Sequence, residues 1–402
     1  MYPILQDGDI VEYIQTLFST IRINDIILIY KGDILMTHRV IYKTKNTYIT
    51  RGDNNSAADS SIQKGKILAK VVRFKRKGVW YGIHDVYLTQ SALYLYEIQM
   101  VETVLQLQKI PHVFLKGVLI SLRYENAIPK RIYSDCDVLV RRAEQTKIEK
   151  VFGALGYTLQ ERALLRPTRS HPRLEEEPEV SFIKLVSGVP VVFDVHFEPV
   201  FLMTQLGGMN MLYPSKLLAE LGERIIKNGE IKKIKGFNYS LCSIPDQILY
   251  LALHIFHHNY TDIIRYQLLG AVIRKSATHK VWAELTHTIQ SYQLNSYIYL
   301  VFILLKKYCQ TPIPRSFVSL IRPSPFKKAF TDIFSRRVDV FSGDSRLKAG
   351  VERFILIFFL SPEPFGKKLL LFVHPDVLNL TIKVAWSFVV SRVFQARRRL
   401  IQ

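Results

Sequence analysis

The chain has 402 residues, of which 48% are hydrophobic; that is enough for two or three domains with sizeable cores and excludes a disordered or fibrous protein. Its 55 Lys and Arg against 34 Asp and Glu leave a net charge of +21, which favours polyanions such as nucleotides, nucleic acid or an anionic membrane, and equally describes a solvated basic surface. Three scattered cysteines, Cys136, Cys242 and Cys309, exclude a disulfide framework or a zinc spacing and fit a reducing compartment.

The first residues, Met1 to Asp9, do not read as a signal peptide. Residues 1 to about 82 read as β: Asp25–Tyr30, Thr37–Tyr42, Thr47–Thr50 and Ile67–Phe74 are Val/Ile/Tyr-rich runs broken by Gly-Asp and Asn-Asn. Basic Arg73–Lys77 followed by Gly78 marks a junction. From 85 to 110 the apolar residues Leu93, Leu95, Ile98, Val101, Val104, Leu105 and Leu107 recur at helical spacing, and Pro111 stops the helix. A short strand, His112–Leu115, runs into Lys116-Gly117. Then come a helix at Val118–Tyr124, a strand at Tyr133–Val140 and a helix at Glu144–Leu155 closed by Gly156. Residues 161–179 read as an exposed loop. Val180–Leu185 and Pro190–Phe197 form a hairpin around Ser187-Gly188. Beyond about 215 the chain reads as mostly helical, with Pro245–Asn259, Ile263–Ser276, Trp282–Tyr292 and Leu294–Tyr308 as helices. No apolar run reaches the ~18 residues of a spanning helix, so a cytoplasmic location is expected. Thr381–Leu400 has an apolar face and basic residues; it is either the last core helix or a peripheral contact with an anionic membrane.

The sharpest constellation is Asp135-Cys136-Asp137 at the head of an apolar strand. Alternation puts both carboxylates on one face, and Asp194 offers a third acid in another β-like run. Hard oxygen ligands of this kind suit Mg²⁺, and the same pattern also occurs in ordinary turns and surface strands. His196 follows Asp194 and would reach the metal site or hydrogen-bond Asp194. His254, His257 and His258 share one region of a helix, with helix packing as their expected role.

Phe114-Leu115-Lys116-Gly117, Tyr124, Pro129-Lys130-Arg131, Ser134 to Val140 and Asp194-x-His196 together resemble the uncharacterised nucleotidyltransferase family of the polymerase-β-like superfamily, over roughly residues 95–400. The resemblance implies that Asp135, Asp137 and Asp194 bind Mg²⁺ or Mn²⁺ and are catalytic. Lys116 and Gly117 would face the nucleoside triphosphate at a helix entry, where a bare backbone and a helix N-terminus favour phosphate. Arg131 would neutralise phosphate or pair with Asp135.

A second resemblance covers residues 1–75. Tyr2-Pro3, Asp7-Gly8-Asp9, Lys31-Gly32-Asp33, Thr37-His38-Arg39 and Arg51-Gly52-Asp53-Asn54-Asn55 with Asp59 resemble the archaeal and endoplasmic-reticulum signal peptidases. It implies His38 as the base and Asp59, or else Asp53, as the acid that orients it. The family's nucleophilic serine would stand one residue before Met1. Either the start is placed too late, or the domain persists as a binding module; Ser19, Ser56, Ser60 and Ser61 match no motif.

The expectation is therefore an α+β protein in three parts: a signal-peptidase-like all-β domain (1–82), a nucleotidyltransferase-like domain with a mixed sheet (83–212) and a helical domain (213–402). It would transfer a nucleoside monophosphate to a small-molecule or peptide acceptor, and no specific nucleic-acid motif is visible. The alternatives are a serine endopeptidase and a non-catalytic peptide-binding fusion. Pairing peptidase-like and transferase-like parts suggests, by analogy, maturation of a peptide.

Overall fold

The computed structural model describes residues 4–31, 33–125, 131–160, 177–199, 201–202, 209–343, 346–375 and 377–378. The fold is mixed α+β: an N-terminal antiparallel sheet, a second mixed sheet and a helical C-terminal half.

The N-terminal sheet contains β1 (Ile10–Ile14), β2 (Ile26–Lys31), β3 (Ile34–Lys43), β4 (Thr47–Arg51), β5 (Ile62–Gln63), β6 (Ile67–Arg76) and β7 (Val79–Gly82). Its strands run in the order β1-β6-β2-β3-β4-β5, with β7 paired to β6. Two small cores hold it, one around Ile21, Ile27, Ile29, Val40 and Tyr48 and one around Ile26, Val71, Phe74 and Tyr87. The Gly78 position read as a junction is the turn of the β6–β7 hairpin, in which Arg76 pairs with Val79.

Helix α1 (Ile83–Leu107) leads into β8 (His112–Phe114), α2 (Val118–Tyr124), β9 (Cys136–Val140), α3 (Gln145–Ala154), β10 (Thr158–Gln160), β11 (Glu179–Val186) and β12 (Val189–His196). Then follow α4 (Ser215–Lys227), β13 (Glu230–Ile234) and β14 (Phe237–Leu241). The second sheet has the order β10-β11-β12-β9-β8-β14-β13. The β13–β14 hairpin lies in the stretch whose sequence reads as helical, yet it completes this sheet by the parallel pairing of Leu241 with Phe114.

The helical half is α5 (Ile244–His257), α6 (Ile263–Ser276), α7 (His279–Ser291), α8 (Asn295–Cys309), α9 (Arg315–Leu320), α10 (Pro325–Ser335), α11 (Arg346–Leu360) and α12 (Phe365–Leu369). One continuous apolar core joins these helices to the second sheet, with Phe114, Val138, Phe193, Leu253, Phe256 and Tyr297 all buried. The N-terminal sheet is anchored to this body by Ile41, which joins the same core, by Tyr42 and Ile49 packed against it, and by polar contacts. Tyr42 Oη donates to the Tyr308 carbonyl at 2.9 Å, Gln267 Nε2 to the Ile41 carbonyl at 3.0 Å and Arg51 to the Phe341 carbonyl at 3.1 Å. Among the described residues no helix is long and apolar enough to cross a membrane. Of the stretch 161–179 that reads as a loop, residues 161–176 lie outside the described residues, as does the amphipathic stretch Thr381–Leu400, and Glu179 begins β11.

Candidate active site

The second sheet positions the acids. Strand β9 is flanked by β12 on one side and β8 on the other, and Asp137 is the register partner of Asp194 across the parallel β9–β12 pair. Asp135 stands immediately before β9, so the strand is shorter than the Tyr133–Val140 run suggested. Tyr94 of α1 fixes this entry by donating to the Ser134 carbonyl at 2.9 Å. One carboxylate oxygen from each of Asp135, Asp137 and Asp194 lies within 4.8 Å of the other two. Asp137 is only 1% exposed.

Three acids this close would repel strongly without a cation. Lys116 supplies one: its ammonium lies 3.1 Å from Asp135 Oδ2 and 3.0 Å from Asp137 Oδ2. Burial works to raise the Asp135 pKa, but the charge and hydrogen bond of Lys116, helped by Ser134, hold it below the ordinary carboxylate value. Asp194 behaves oppositely. Burial first, then the charges of Glu179 and Asp137, push it up to about 6, despite a 2.5 Å hydrogen bond from Ser181 Oγ. Behind Asp137 stands His196, whose Nε2 is 2.8 Å from Asp137 Oδ1 and whose Nδ1 is 3.3 Å from Glu179. Burial opposes protonation of this imidazole, but Glu179 and Asp137 outweigh it and raise its pKa.

The acids fit a divalent cation. The donor set is all carboxylate oxygen, suited to Mg²⁺ or Mn²⁺. Asp137 Oδ2 is buried and, among the described residues, has no aligned hydrogen-bond donor; the nearby Lys116 ammonium meets it as a charge. The model of an uncharacterised nucleotidyltransferase family matches residues 78–310, more than half of the chain. The chain belongs to this family. No curated protein matches it. Among solved structures, the solution structure of the antibiotic-resistance factor ANT(2'')-Ia is similar with a TM-score of 0.31 at 10% identity, covering 52% of this chain and 95% of that chain. That score is too low to bear on fold or substrate.

Other expected site residues of this nucleotidyltransferase family member fall in varied places. Arg131 does not pair with Asp135. It donates to Ser121 Oγ at 2.8 Å, reaches Glu125 at 3.4 Å and packs over the Tyr133 ring. The reason is local: the acids sit behind Lys116, while the C-terminal end of α2 offers Arg131 a carboxylate of its own. His196 bonds Asp137, not Asp194, because the parallel register brings the two strands side by side. Gly117 has φ 95°, and a Cβ there would meet the Asp135 carbonyl oxygen at 3.3 Å, so the close approach of the two chain segments requires glycine. Helix α2 is only seven residues long, too short for its N-terminus to be a phosphate site by itself.

His38 and Asp59 do come together in the N-terminal sheet. His38 Nδ1 is 2.5 Å from Asp59 Oδ2, and Thr50 Oγ1 donates to the same oxygen at 2.6 Å. Asp53 instead takes a double hydrogen bond from Arg39, at 2.7 and 2.6 Å. The family match starts at residue 78, so of this sheet only β7 falls within it. Glu179 and Ser181 were missed in the sequence. Their signal was present: the Ser187-Gly188 turn fixes a register in which Ser181 faces Asp194 and Glu179 faces His196.

Proposed function

We propose that this chain transfers a nucleoside monophosphate from a nucleoside triphosphate to an acceptor hydroxyl, with Asp135, Asp137 and Asp194 as the metal-binding acids. The convergence of the three carboxylates, two of them paired with Lys116, in a member of a nucleotidyltransferase family, carries the reading. A divalent ion held there would supply positive charge against the triphosphate oxygens and lower the pKa of the acceptor hydroxyl. His196, held between Asp137 and Glu179, fixes the orientation of the Asp137 carboxylate. Asp194, ionised once the cation is bound, would be the carboxylate that takes the acceptor proton. The acceptor oxygen then bonds to the α-phosphorus as the bond to pyrophosphate breaks. Lys116 brings a fixed cation within reach of phosphate oxygens. The acceptor is a small molecule or a peptide, and the division into parts at 1–82, 83–212 and 213–402 belongs to the same proposal.

The test is incubation of the full chain with Mg²⁺ and each labelled nucleoside triphosphate, beside an Asp135→Ala, Asp137→Ala variant. Mg²⁺-dependent binding or pyrophosphate release that the variant loses supports the reading, and absence of binding for every triphosphate ends it.

The His38–Asp59 pair favours a second reading for the N-terminal sheet, a module that binds or acts on a peptide. Among the described residues His38 has no hydrogen-bond partner other than Asp59, so its Nε2 has no protein partner there. A peptide panel titrated against the full chain and His38→Ala tests this; affinity that the variant leaves intact for every peptide bound would remove it.

A further inference from the structure

Helix α12 and the 3₁₀ turn Leu370–Val373 that follows it turn large apolar side chains outward. Phe365 is 61% exposed, Leu369 48%, Leu370 55%, Phe372 48% and Val373 69%; of the run Leu369–Val373 only Leu371 is buried. Helix α11 extends this patch. Its Val351, Phe354, Ile355 and Phe358 recur at spacings of three and four and so share one face, and Val351 and Ile355 are exposed. Ring contacts join the two elements. The Phe358 ring centroid is 6.1 Å from that of Phe365 and 5.3 Å from that of Phe372, and Phe354 is 6.4 Å from Phe372. Apolar side chains gathered in this way on a folded chain mark a surface that another body covers.

The charge beside the patch says what that body is. The Lys368 ammonium lies 5.9 Å from the centroid of the Phe358 ring and donates to the Ser361 carbonyl at 3.1 Å. Burial first, then the charge of Lys327 on α10, push its pKa down to about 8, against the opposing pull of Glu363. Burial alone acts on Lys327, with no carboxylate beside it among the described residues. The described acids of α11 and its junction with α12 are engaged: Glu363 pairs with Lys367 at 3.0 Å, and Glu352 is not free. The chain then runs on from the patch through residues 377–402, whose sequence holds Lys383, Arg392, Arg397, Arg398 and Arg399 and no acid. We propose that the face formed by Phe365, Leu369, Phe372 and Val373 with Val351 and Ile355 docks this protein on an anionic lipid surface. The apolar side chains enter the boundary between headgroups and acyl chains, and the cations at the rim meet the headgroup charge. The contact is peripheral, since no described helix is long and apolar enough to cross a membrane. It does not depend on the nucleotidyl-transfer reading.

The experiment sediments the full chain with vesicles of phosphatidylcholine, alone or with about one-third phosphatidylglycerol. Beside it run a Phe365→Ser, Val373→Ser double variant and Lys327→Gln, each shown to be folded by its thermal melt. The expected result is binding to the anionic vesicles and little to phosphatidylcholine alone. Affinity should fall at least about tenfold in the double variant, which removes two inserted apolar side chains, and about fivefold in Lys327→Gln, which removes one cation near the surface. No binding to anionic vesicles overturns the proposal, as does equal binding to both kinds of vesicle. Binding that the folded double variant retains in full places the contact elsewhere, for instance on residues 379–402 alone, and also overturns it. Self-association without lipid in analytical ultracentrifugation, lost in the double variant and accompanied by no vesicle binding, gives the face to a second copy of the chain instead.

Discussion

Asp194 keeps its proton up to about pH 6 in the folded chain, against an ordinary value of 3.8, so folding disfavours its ionised form. The stability it contributes is fully present below about pH 4 and is lost as the pH rises through about 6. A divalent cation requires the ionised carboxylate, so Mg²⁺ affinity measured calorimetrically should fall about tenfold per pH unit below pH 6, with roughly one proton released on binding there. In Asp194→Asn that pH dependence should disappear together with most of the affinity; an unaltered profile would show that Asp194 does not meet the ion. At the same scale, Asp137→Asn keeps the shape of the side chain and removes the charge shared by Lys116 and His196. Nucleotidyl transfer should fall by ~100-fold or more, in line with the several kcal/mol that metal positioning supplies, as a rate assay would register. The acid pair was legible in the sequence because Asp-x-Asp at the head of an apolar strand is expensive without a partner. The partner of Arg131 was not, since Glu125 becomes its neighbour only once α2 has folded.

Element by element, legibility followed turn chemistry. Three hairpins turn on two residues that both have positive φ: Lys77-Gly78, Ser187-Gly188 and Lys235-Gly236. Such turns match the twist of the strands they join. The Ser-Gly pair reads as a turn, whereas Lys-Gly within a basic run reads as a linker or a helix end, so β7 and the β13–β14 hairpin were hidden. Buried Glu102 on α1 was hidden for a related reason: besides His112 at 2.6 Å in the next strand, its partner Ser240 Oγ at 2.9 Å comes from a strand far along the chain. Helix α5, by contrast, announces itself with Ser243 as N-cap and Pro245 in its first turn. Ser243→Ala should cost about 1 kcal/mol of stability in a denaturant melt. Gln247→Ala leaves the Leu115 carbonyl without its side-chain donor and should cost ~1–3 kcal/mol.

The whole molecule brings an N-terminal sheet onto a helical body through apolar contacts of Ile41, Tyr42 and Ile49 and several polar contacts. Arg51 is the centre of that junction, 3.3 Å from Asp262 and bonded to the Phe341 carbonyl, and the Gly343 amide donates to the Ser56 carbonyl at 2.5 Å. Arg51→Ala should cost about 1 kcal/mol and raise hydrogen exchange at Gly343 and in β4 while leaving the second sheet protected. Uniform protection in both parts would mean that apolar packing around Tyr42 and Phe341 alone holds the sheet. The +21 charge adds a long-range attraction for polyanions that salt screens, so nucleoside triphosphate affinity should decline from low to physiological ionic strength. Such a global charge was visible at once in the composition. How the N-terminal sheet docks was not, because Arg51, Asp262 and Phe341 are brought together only by the finished fold.

The central claim, that Asp135, Asp137 and Asp194 hold a divalent ion for nucleotidyl transfer, is tested most directly by titrating Mn²⁺ and following its free signal by electron paramagnetic resonance, with and without nucleoside triphosphate. Saturable binding, tightened by the triphosphate and lost in Asp137→Asn, is the predicted result. Equal Mn²⁺ uptake by the variant and the unmodified chain would contradict it.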